Sequence, residues 1–290
     1  MIADPPAGAD PELQRLHQYL QALAAADWTD PTGPIRLAAD LTPEEVRSVP
    51  IVHNTRVFLR AAGGLGGAAT TATGNLNRAF VKQVWGDLMI HPLCRETTLR
   101  HCKVINELDV WPLHLARTLA ELGRLVIRRK RRFIPSRLGR ALTPEDQAGI
   151  LYRHLFITYF RKMDLRYAAR WRDVPEIQPT MAIVLWRLAA VANDWVPVEG
   201  LAPIILPPPI LPFLHQAMVS PFDTEETIIA SYVLNPLLGF DLIEPDRKSD
   251  WPMIEEKDRI RVTPLFRRFL SFAPFDLSGE PPPDSYGFAA

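Results

Sequence analysis

One arrangement of residues occurs twice in this chain and restricts what it can fold into. The segments "GRLVIRRKRRFIPSRLGRAL" at 123–142 and "GFDLIEP…RIRVTPLFRRFL" at 239–270 both run from a glycine through an apolar strand, a turn and a second apolar strand. Each then continues with a small polar residue and a helix that places arginine beside apolar positions. Short apolar strands joined by a tight polar turn are typical of a β-hairpin. The sequence therefore predicts two hairpins, each followed by a helix.

Helical patterns precede the first hairpin. They begin with the capping-box pattern "TPEE" at Thr42 and Glu45, followed by the helix "VHNTRVFLRAA", a short extended segment and a helix at 75–88. A further helix, with Asp109 as its cap and Gly123 as its end, leads directly into the hairpin.

The second hairpin follows a similar series. The helices "PEIQPTMAIVLWRLAAVAND" and "DTEETIIASYVLNPLLG" come before it, the latter with Asp223 as its cap. Helix, short strand, two helices and a hairpin wing is the order of a winged helix-turn-helix unit. The predicted fold class is therefore mainly α with small β-hairpins, arranged as tandem winged helix-turn-helix units.

These patterns divide the chain into three parts. Residues 1–40 form an N-terminal helix and linker, in which Asp10 caps the helix and Pro11 lies in its first turn. Residues 41–172 form a first winged-helix unit with a basic wing, and residues 173–290 form a second, acidic winged-helix-like unit.

Charge is distributed unevenly along the chain, although the net charge is zero. Residues 91–175 contain 18 Lys and Arg against 8 Asp and Glu, a balance of +10, whereas residues 176–290 contain 8 against 16, a balance of −8. A basic block of this size favours a polyanion partner, although an acidic neighbour in the same chain could satisfy it instead.

The cations cluster at the tip of the first hairpin, and nucleic acid is the predicted partner, through phosphate contacts. The helix at 75–88 adds polar side chains of the kinds that pair with adenine and guanine. The candidate nucleic-acid-binding residues are Arg128, Arg129, Lys130, Arg131, Arg132, Asn75, Arg78, Lys82 and Arg137.

Structural explanations compete with this interpretation. Cations at a hairpin tip prevent sheets from pairing edge to edge, and they do so without any partner. The polar side chains at 75–88 are equally compatible with an ordinary solvated helix face. The pre-hairpin helix presents Leu113, Arg117, Ala120 and Glu121 opposite its apolar stripe, which is a poor set for reading bases.

Two segments resemble a known family. They are "TGNLNRAFV" at 73–81 and "LHLARTLAELGRLVIRRKRRFIPSRLGRAL" at 113–142, and they are similar to the uncharacterised bacterial plasmid ORF-three-like proteins. That family carries "TATGNL" before a helix, and a Gly-Leu hairpin followed by "LT-x-x-G-R-x-L".

The resemblance covers roughly residues 52–165. Within the second motif, Ile134 and Pro135 replace Leu-Thr, whereas Gly139 and Arg140 are retained. The resemblance implies a winged-helix-like body, and it carries over no catalytic residue.

Several functional classes find no support in the sequence. No catalytic signature is present, so we expect a protein that is not an enzyme and that needs no cofactor. Metal-capable residues in "HPLCRETTLRHC" include His101 directly beside Cys102, and adjacent side chains diverge too much to bind one ion, so no metal site is expected.

The expected location is the cytoplasm, without a membrane contact. The chain has only two cysteines, Cys94 and Cys102, and its first residues lack the pattern of a signal peptide. The most apolar run, at 201–214, is too short to span a bilayer and contains five prolines.

The sequence therefore predicts a nucleic-acid-binding or regulatory adaptor that uses a basic winged-helix unit. The alternative is a protein-protein interaction subunit of a larger assembly without nucleic-acid contact. In either case the C-terminal unit is expected to contact protein, because the acidic start of its pre-hairpin helix would repel phosphates. One hypothesis is that residues 173–290 partly mask the basic region.

Overall fold

The structure is a computed structural model that describes residues 10–64, 66–169, 174–218, 220, 223–246 and 252–275. Within these residues the chain is mainly helical, with small antiparallel sheets of two or three strands. The predicted class, mainly α with small β-hairpins, is confirmed.

The first half contains helices α1 (Pro11–Ala25), α2 (Pro50–Gly64), α3 (Arg78–Val84), α4 (Pro92–His101), α5 (Trp111–Leu122), α6 (Arg137–Leu142), α7 (Ala148–Arg161) and α8 (Leu165–Ala169). The second half contains α9 (Met181–Val191), α10 (Ala202–Ile205), α11 (Leu211–Ala217), α12 (Glu225–Ile229), a π-helical turn (Ala230–Leu234), α13 (Asn235–Gly239) and α14 (Pro264–Phe269).

Eight short strands form three sheets within the described residues. The strands are β1 (Ile35–Leu37), β2 (Ala68–Ala69), β3 (Val126–Arg129), β4 (Arg132–Pro135), β5 (Val196–Pro197), β6 (Ile243–Pro245), β7 (Arg259–Val262) and β8 (Leu270–Phe272). The spatial orders are β2-β4-β3, β5-β7-β6 and β1-β8.

The two three-stranded sheets repeat one design. In each, the last strand in sequence lies between the other two, and Phe133 of β4 faces Ala68 just as Ile260 of β7 faces Val196. The first unit, α2 to α6, and the second unit, α9 to α14, therefore share strand order and register. The internal repeat predicted from the sequence is present in the structure.

The repeat extends to the residues that enter and leave each hairpin. Arg124 and Asp241 both adopt a left-handed backbone conformation, with φ of 57° and 58°, where the pre-hairpin helix turns into its strand. Ser136 and Thr263 cap the helix after the hairpin, accepting from Gly139 N at 3.0 Å and from Phe266 N at 3.2 Å. The repeat therefore includes backbone conformation and helix capping as well as strand order.

Helix α7 lies between the units and binds the same position in both. His154 Nε2 contacts the carbonyl oxygen of Gly123 at 2.8 Å, and the Tyr152 hydroxyl donates to the carbonyl oxygen of Phe240 at 2.9 Å. Those carbonyls follow the two pre-hairpin helices. Phe156 adds an edge-to-face contact with Phe240, so the apolar core is continuous from one unit to the other.

The N-terminal segment packs on the second unit. Helix α1 contacts α9, and β1 pairs with β8 so that Ile35 faces Phe272. The guanidinium of Arg268 binds both Asp40 and Glu45, at 3.1 Å and 3.0 Å. The predicted boundary between residues 172 and 173 lies outside the described residues.

Three helix starts differ from the sequence predictions. The predicted helix at 75–88 begins only at Arg78, because the Asn77 side chain accepts from Phe80 N and caps it there. Asp109 does not cap α5; it accepts from the backbone N–H of Asn106 in the preceding turn. Wrong caps of this kind arise because several polar residues next to a helix start compete for the same N–H groups.

The third difference concerns the second unit. Thr224, and not Asp223, caps α12, in a reciprocal capping box with Thr227. The helix then passes through the π-helical turn before Pro236, whose ring removes one backbone donor and crowds the preceding turn. Among the residues described, no helix has the length and apolar character needed to cross a bilayer.

Candidate nucleic-acid interface

The first hairpin, β3 and β4, forms where the sequence predicts it. Its strands pair in register from Val126 with Pro135 to Arg129 with Arg132, which leaves Lys130 and Arg131 as a two-residue turn. The predicted first hairpin, with cations at its tip, is confirmed.

The turn uses an unusual pair of residues. Lys130 and Arg131 have positive φ values of 46° and 57°, the conformation that two-residue hairpin turns require and that Asn-Gly normally supplies. A longer side chain in this conformation costs about 1 kcal/mol. Thr70 supports the turn, because its N–H and its hydroxyl both donate to the carbonyl oxygen of Arg131, at 2.9 Å and 3.1 Å. Turn geometry alone therefore gives no reason for cations at these two positions.

The sheet has an inner face on the core and an outer face toward solvent. Val126 and Phe133 are buried on the inner face. The outer face is formed by Ile127, Arg129, Arg132 and Ile134. Ile127 lies opposite Ile134 on this outer face and is 54% exposed. Alternation along the strand places it opposite to its buried neighbours.

Two of the hairpin cations contact other groups of the first unit. Arg128 lies over the Phe133 ring and beside Gly74, and Arg132 donates to the carbonyl oxygen of Gly67 at 3.1 Å. All five cations from 128 to 132 are exposed, and none of them forms an ion pair within the described part of the chain.

The remaining candidate residues are only partly brought together. Asn75 is half-buried in the loop before α3, next to Gly74, where an added Cβ atom would meet the Arg128 guanidinium. Arg78 begins α3 and donates to Asn106 Oδ1 at 2.9 Å, while Lys82 is exposed further along the helix. Arg137 starts α6, at the end of the hairpin opposite the tip, and is exposed.

In the second hairpin, β6 and β7, the corresponding arginines pair with carboxylates of the same hairpin. Arg261 Nε donates to Glu244 Oε1 at 2.6 Å, and Arg259 lies 3.7 Å from a carboxylate oxygen of Asp246. The Trp195 ring covers the same face, with its centroid 4.5 Å from the guanidinium carbon of Arg261. In the repeat Asp246 corresponds to Arg129. The second unit therefore has an opposite-charge pair, Asp246 and Arg259, where the first unit has the like-charge pair Arg129 and Arg132.

The helix before each hairpin, which enters the major groove in a winged helix bound to DNA, is covered. No residue of α5 is exposed before Glu121, and no residue from Glu225 to Leu238 is exposed in the second unit. The sequence placed Leu113 and Ala120 on an outward face, whereas both are fully buried. Helix α5 packs against α2 and α7, and the Tyr167 ring lies against His114.

A buried ionic network holds the loop before α3, and the sequence reasoning missed it. Glu107 is 1% exposed, and its carboxylate contacts His114 Nδ1 and Arg117 Nε, both at 2.8 Å. It also accepts from the backbone N–H of Leu76, and His114 Nε2 contacts the hydroxyl of Tyr167. The spacing of His114 and Arg117, one turn apart on a mainly apolar helix, was the available signal.

The charges in this network stabilise each other. Burial by itself raises the pKa of Glu107, but the hydrogen bond with His114 and the charge of Arg117 outweigh it and hold that pKa below the ordinary value of a glutamate. The carboxylate is therefore ionised at neutral pH, and it fixes the loop that runs past Arg128.

The segment with the metal-capable residues forms α4 and its end. Cys94 is exposed and Cys102 half-exposed, and partial desolvation raises the pKa of the Cys94 thiol. No cluster of three or more potential metal ligands occurs among the residues that the structure describes.

The predicted masking of the basic region finds no ion pair to support it in the described ranges. The acidic residues there that form ion pairs after residue 174 do so with cations of their own unit. Residues 247–251 of the acidic hairpin loop lie outside the described residues, and the masking hypothesis stays a prediction.

Comparison with known proteins yields one match. The profile of the family described as Y4jL N-terminal domain matches residues 47–149, which is 103 of the 290 residues. The matched region begins just before α2 and ends at the start of α7, so it contains the whole first hairpin and the buried network of Glu107. No curated protein and no solved structure matches the chain.

Proposed function

We propose that this protein binds nucleic acid through phosphate contacts made by the first hairpin, and that it acts as a binding or regulatory adaptor and not as an enzyme. The observation that carries the proposal is the contrast between the hairpins. Arg129 and Arg132 are directly opposite each other without a described acidic partner, whereas Asp246 and Arg259 form an opposite-charge pair at the same position. Like charges in that position oppose folding, so an anion from outside the chain is the simplest compensation.

The turn supports the same proposal. Lys130 and Arg131 occupy a left-handed turn at a conformational cost, and residues with unfavourable backbone geometry occur preferentially at functional sites. Arginine is also the residue best suited to phosphate, because its planar guanidinium donates two parallel hydrogen bonds.

The proposed contact is to the backbone and does not read sequence. The pre-hairpin helices are covered in both units, and the loop and helix that hold Asn75, Arg78 and Lys82 present few side chains for base edges. We interpret both units as winged-helix-like bodies, of which the first is related to the plasmid ORF-three-like proteins, and we place the protein in the cytoplasm.

A protein partner is the second candidate. It is favoured by the same covered helices, and by the exposed isoleucine on the outer face of the first sheet. In this alternative the cations would pair with an acidic partner protein.

Salt dependence of binding tests the first candidate. For a fluorescently labelled duplex, contacts to about four phosphates give a slope of log affinity against log salt near −3.6, from about −0.9 per contact. Replacing Arg128, Arg129, Arg131 and Arg132 by Ala should flatten that slope toward zero, as measured by fluorescence anisotropy between about 50 and 200 mM salt.

A matched variant controls for total charge. Four exposed cations outside the hairpin, Arg47, Arg100, Lys103 and Lys257, are replaced by Ala in the same way. This variant should retain a slope close to that of the parent. Equal slopes for the hairpin variant and the control, or no binding by the parent, would contradict the proposal.

A further inference from the structure

The second unit has an aromatic ring on the outer face of its sheet, and the first unit has no side chain at the equivalent position. Trp195 immediately precedes β5, and its ring lies on Arg261 at the outer face of the second sheet. Its carbonyl oxygen accepts from Arg259 at 2.9 Å. The indole and the neighbouring carboxylates together cover this face.

Gly67 stands at the position of that tryptophan in the first unit. Its carbonyl oxygen accepts from Arg132, which corresponds to Arg259. Gly67 has a φ of 111°, and a Cβ atom there would lie 2.9 Å from Arg132 Cβ and 3.1 Å from Ile134 Cγ1. No side chain fits at this residue, so Gly67 cannot cover the face as Trp195 does.

The uncovered face has a defined chemistry. Ile127 and Ile134 form an apolar cross-strand pair at its centre, and Ile127 is 54% exposed. Arg129 and Arg132 flank that pair on the turn side and have no described acidic partner. The complementary ligand therefore has a flat apolar ring for the isoleucines and a negative charge one residue spacing away for the arginines.

We infer that the outer face of the first sheet, formed by Gly67, Ile127, Arg129, Arg132 and Ile134, binds an unpaired nucleobase of a single-stranded nucleic acid. This inference rests on the proposed function and names its substrate class. A base would occupy the place of the indole ring, and its flanking phosphates would meet the two guanidinium groups. Single-stranded nucleic acids are bound in this way, by ring stacking together with cationic backbone contacts.

A duplex fits this surface less well. Its bases are stacked on each other and expose only their edges in the grooves, so no ring face is available to a flat sheet. The covered pre-hairpin helices leave the first unit without the element that normally enters a groove.

The experiment separates bases from phosphates. The full chain is titrated into three labelled probes of equal length: an oligothymidylate of about 12 nucleotides, an abasic oligomer with the same phosphates, and a duplex. We expect the oligothymidylate to bind on the order of tenfold more tightly than the abasic oligomer, because only it offers rings. The duplex should bind no more tightly than the abasic oligomer.

Two isoleucine variants make the test specific. Ile127→Ala should bring the oligothymidylate affinity close to that of the abasic probe while leaving the abasic affinity unchanged. Ile150→Ala, at an isoleucine of α7 with a similar exposure of 48%, is the matched control and should change neither. Both side chains are half-exposed, so both variants are expected to fold.

Each alternative outcome has one meaning. Equal, salt-dependent binding of oligothymidylate and abasic oligomer overturns the base site but leaves the proposed phosphate binding intact, and tighter binding of the duplex overturns the single-strand preference. Failure of all three probes to bind overturns both proposals. Binding of an acidic tryptophan-containing peptide alone would overturn them too, and would assign the face to a protein.

Discussion

The two hairpins of this protein share their register and differ in what compensates their arginines. In the second hairpin, Glu244 and Asp246 pair with the arginines opposite them. In the first hairpin the corresponding positions are Ile127 and Arg129. No acidic residue among those described pairs with the arginines of this hairpin. The second hairpin demonstrates that this fold accommodates strand arginines that are paired with carboxylates of the same hairpin. The charges of the first hairpin are therefore not a requirement of folding.

The largest expected effect is a loss of stability on replacing Glu107, a carboxylate in the interior of the first unit. The second unit holds the loop after its first strand with a half-buried carboxylate, since Gly200 N donates to Glu226 Oε1 at 3.0 Å. The first unit uses the fully buried Glu107. Glu107→Ala removes the buried carboxylate that Arg117 and His114 share, and should lower the free energy of unfolding by about 3–5 kcal/mol.

The same arginine supplies a control. Glu121 also pairs with Arg117, at 2.9 Å, but its side chain is 43% exposed. Glu121→Ala should therefore cost about 0–1 kcal/mol. Urea denaturation of both variants measures the difference, and a similar loss for the two would show that the buried network contributes little.

A smaller effect is expected when the first hairpin is given a carboxylate opposite an arginine, as the second hairpin has. Arg129→Asp places a carboxylate opposite Arg132, as Asp246 lies opposite Arg259. The variant removes one cation and neutralises another, so the salt slope of duplex binding should fall in magnitude by about 1.8. Arg129→Ala, which removes one cation only, should lower it by about 0.9.

The two slopes distinguish pairing from simple charge loss. If Arg129→Asp and Arg129→Ala flatten the slope equally, Arg132 makes no contact with phosphate, and the contrast between the hairpins has no bearing on binding. Thermal unfolding of both variants checks that the hairpin is retained.

The smallest effect concerns pH, and it separates the two contacts of α7. Burial lowers the pKa of His154, whereas burial raises the pKa of Tyr152 well above its usual range. A histidine whose folded pKa is depressed contributes stability above its unfolded pKa of about 6.5, and that contribution is lost as pH falls through the folded pKa. We therefore expect the free energy of unfolding to decrease as pH falls below about 6.5.

Substitution locates that decrease in the first unit. His154→Gln removes the titrating group and should flatten this part of the stability curve. Tyr152→Phe, on the same helix, should shift the curve downward without changing its shape. An unaltered pH dependence in His154→Gln would assign the loss of stability to other histidines.

Local features of the fold were predictable from the sequence. The first hairpin has its tip at Lys130, and α1 begins at Asp10 with the predicted cap. Gly123 ends α5 as expected. In each case the signal lies within a few neighbouring residues, where turn chemistry and capping decide the outcome.

Contacts made by distant segments were not predictable in the same way. The outward face assigned to α5 is buried because α2 and α7 pack around that helix. For the candidate site, the cationic tip was found, but the exposure of Ile127 was not. Its orientation depends on the register between the two strands, and a shift by one residue would exchange the faces.

The pairing of β1 with β8 sets the order in which the chain can be completed during synthesis. Ile35 faces Phe272 across 237 residues, and the second unit must emerge from the ribosome before that pair can close. Contacts this distant in sequence form late, because the entropy of closing the loop is lost before they contribute. The contacts of the hairpin cations span fewer residues, 65 between Arg132 and Gly67, so we expect them to form before β1 meets its partner strand.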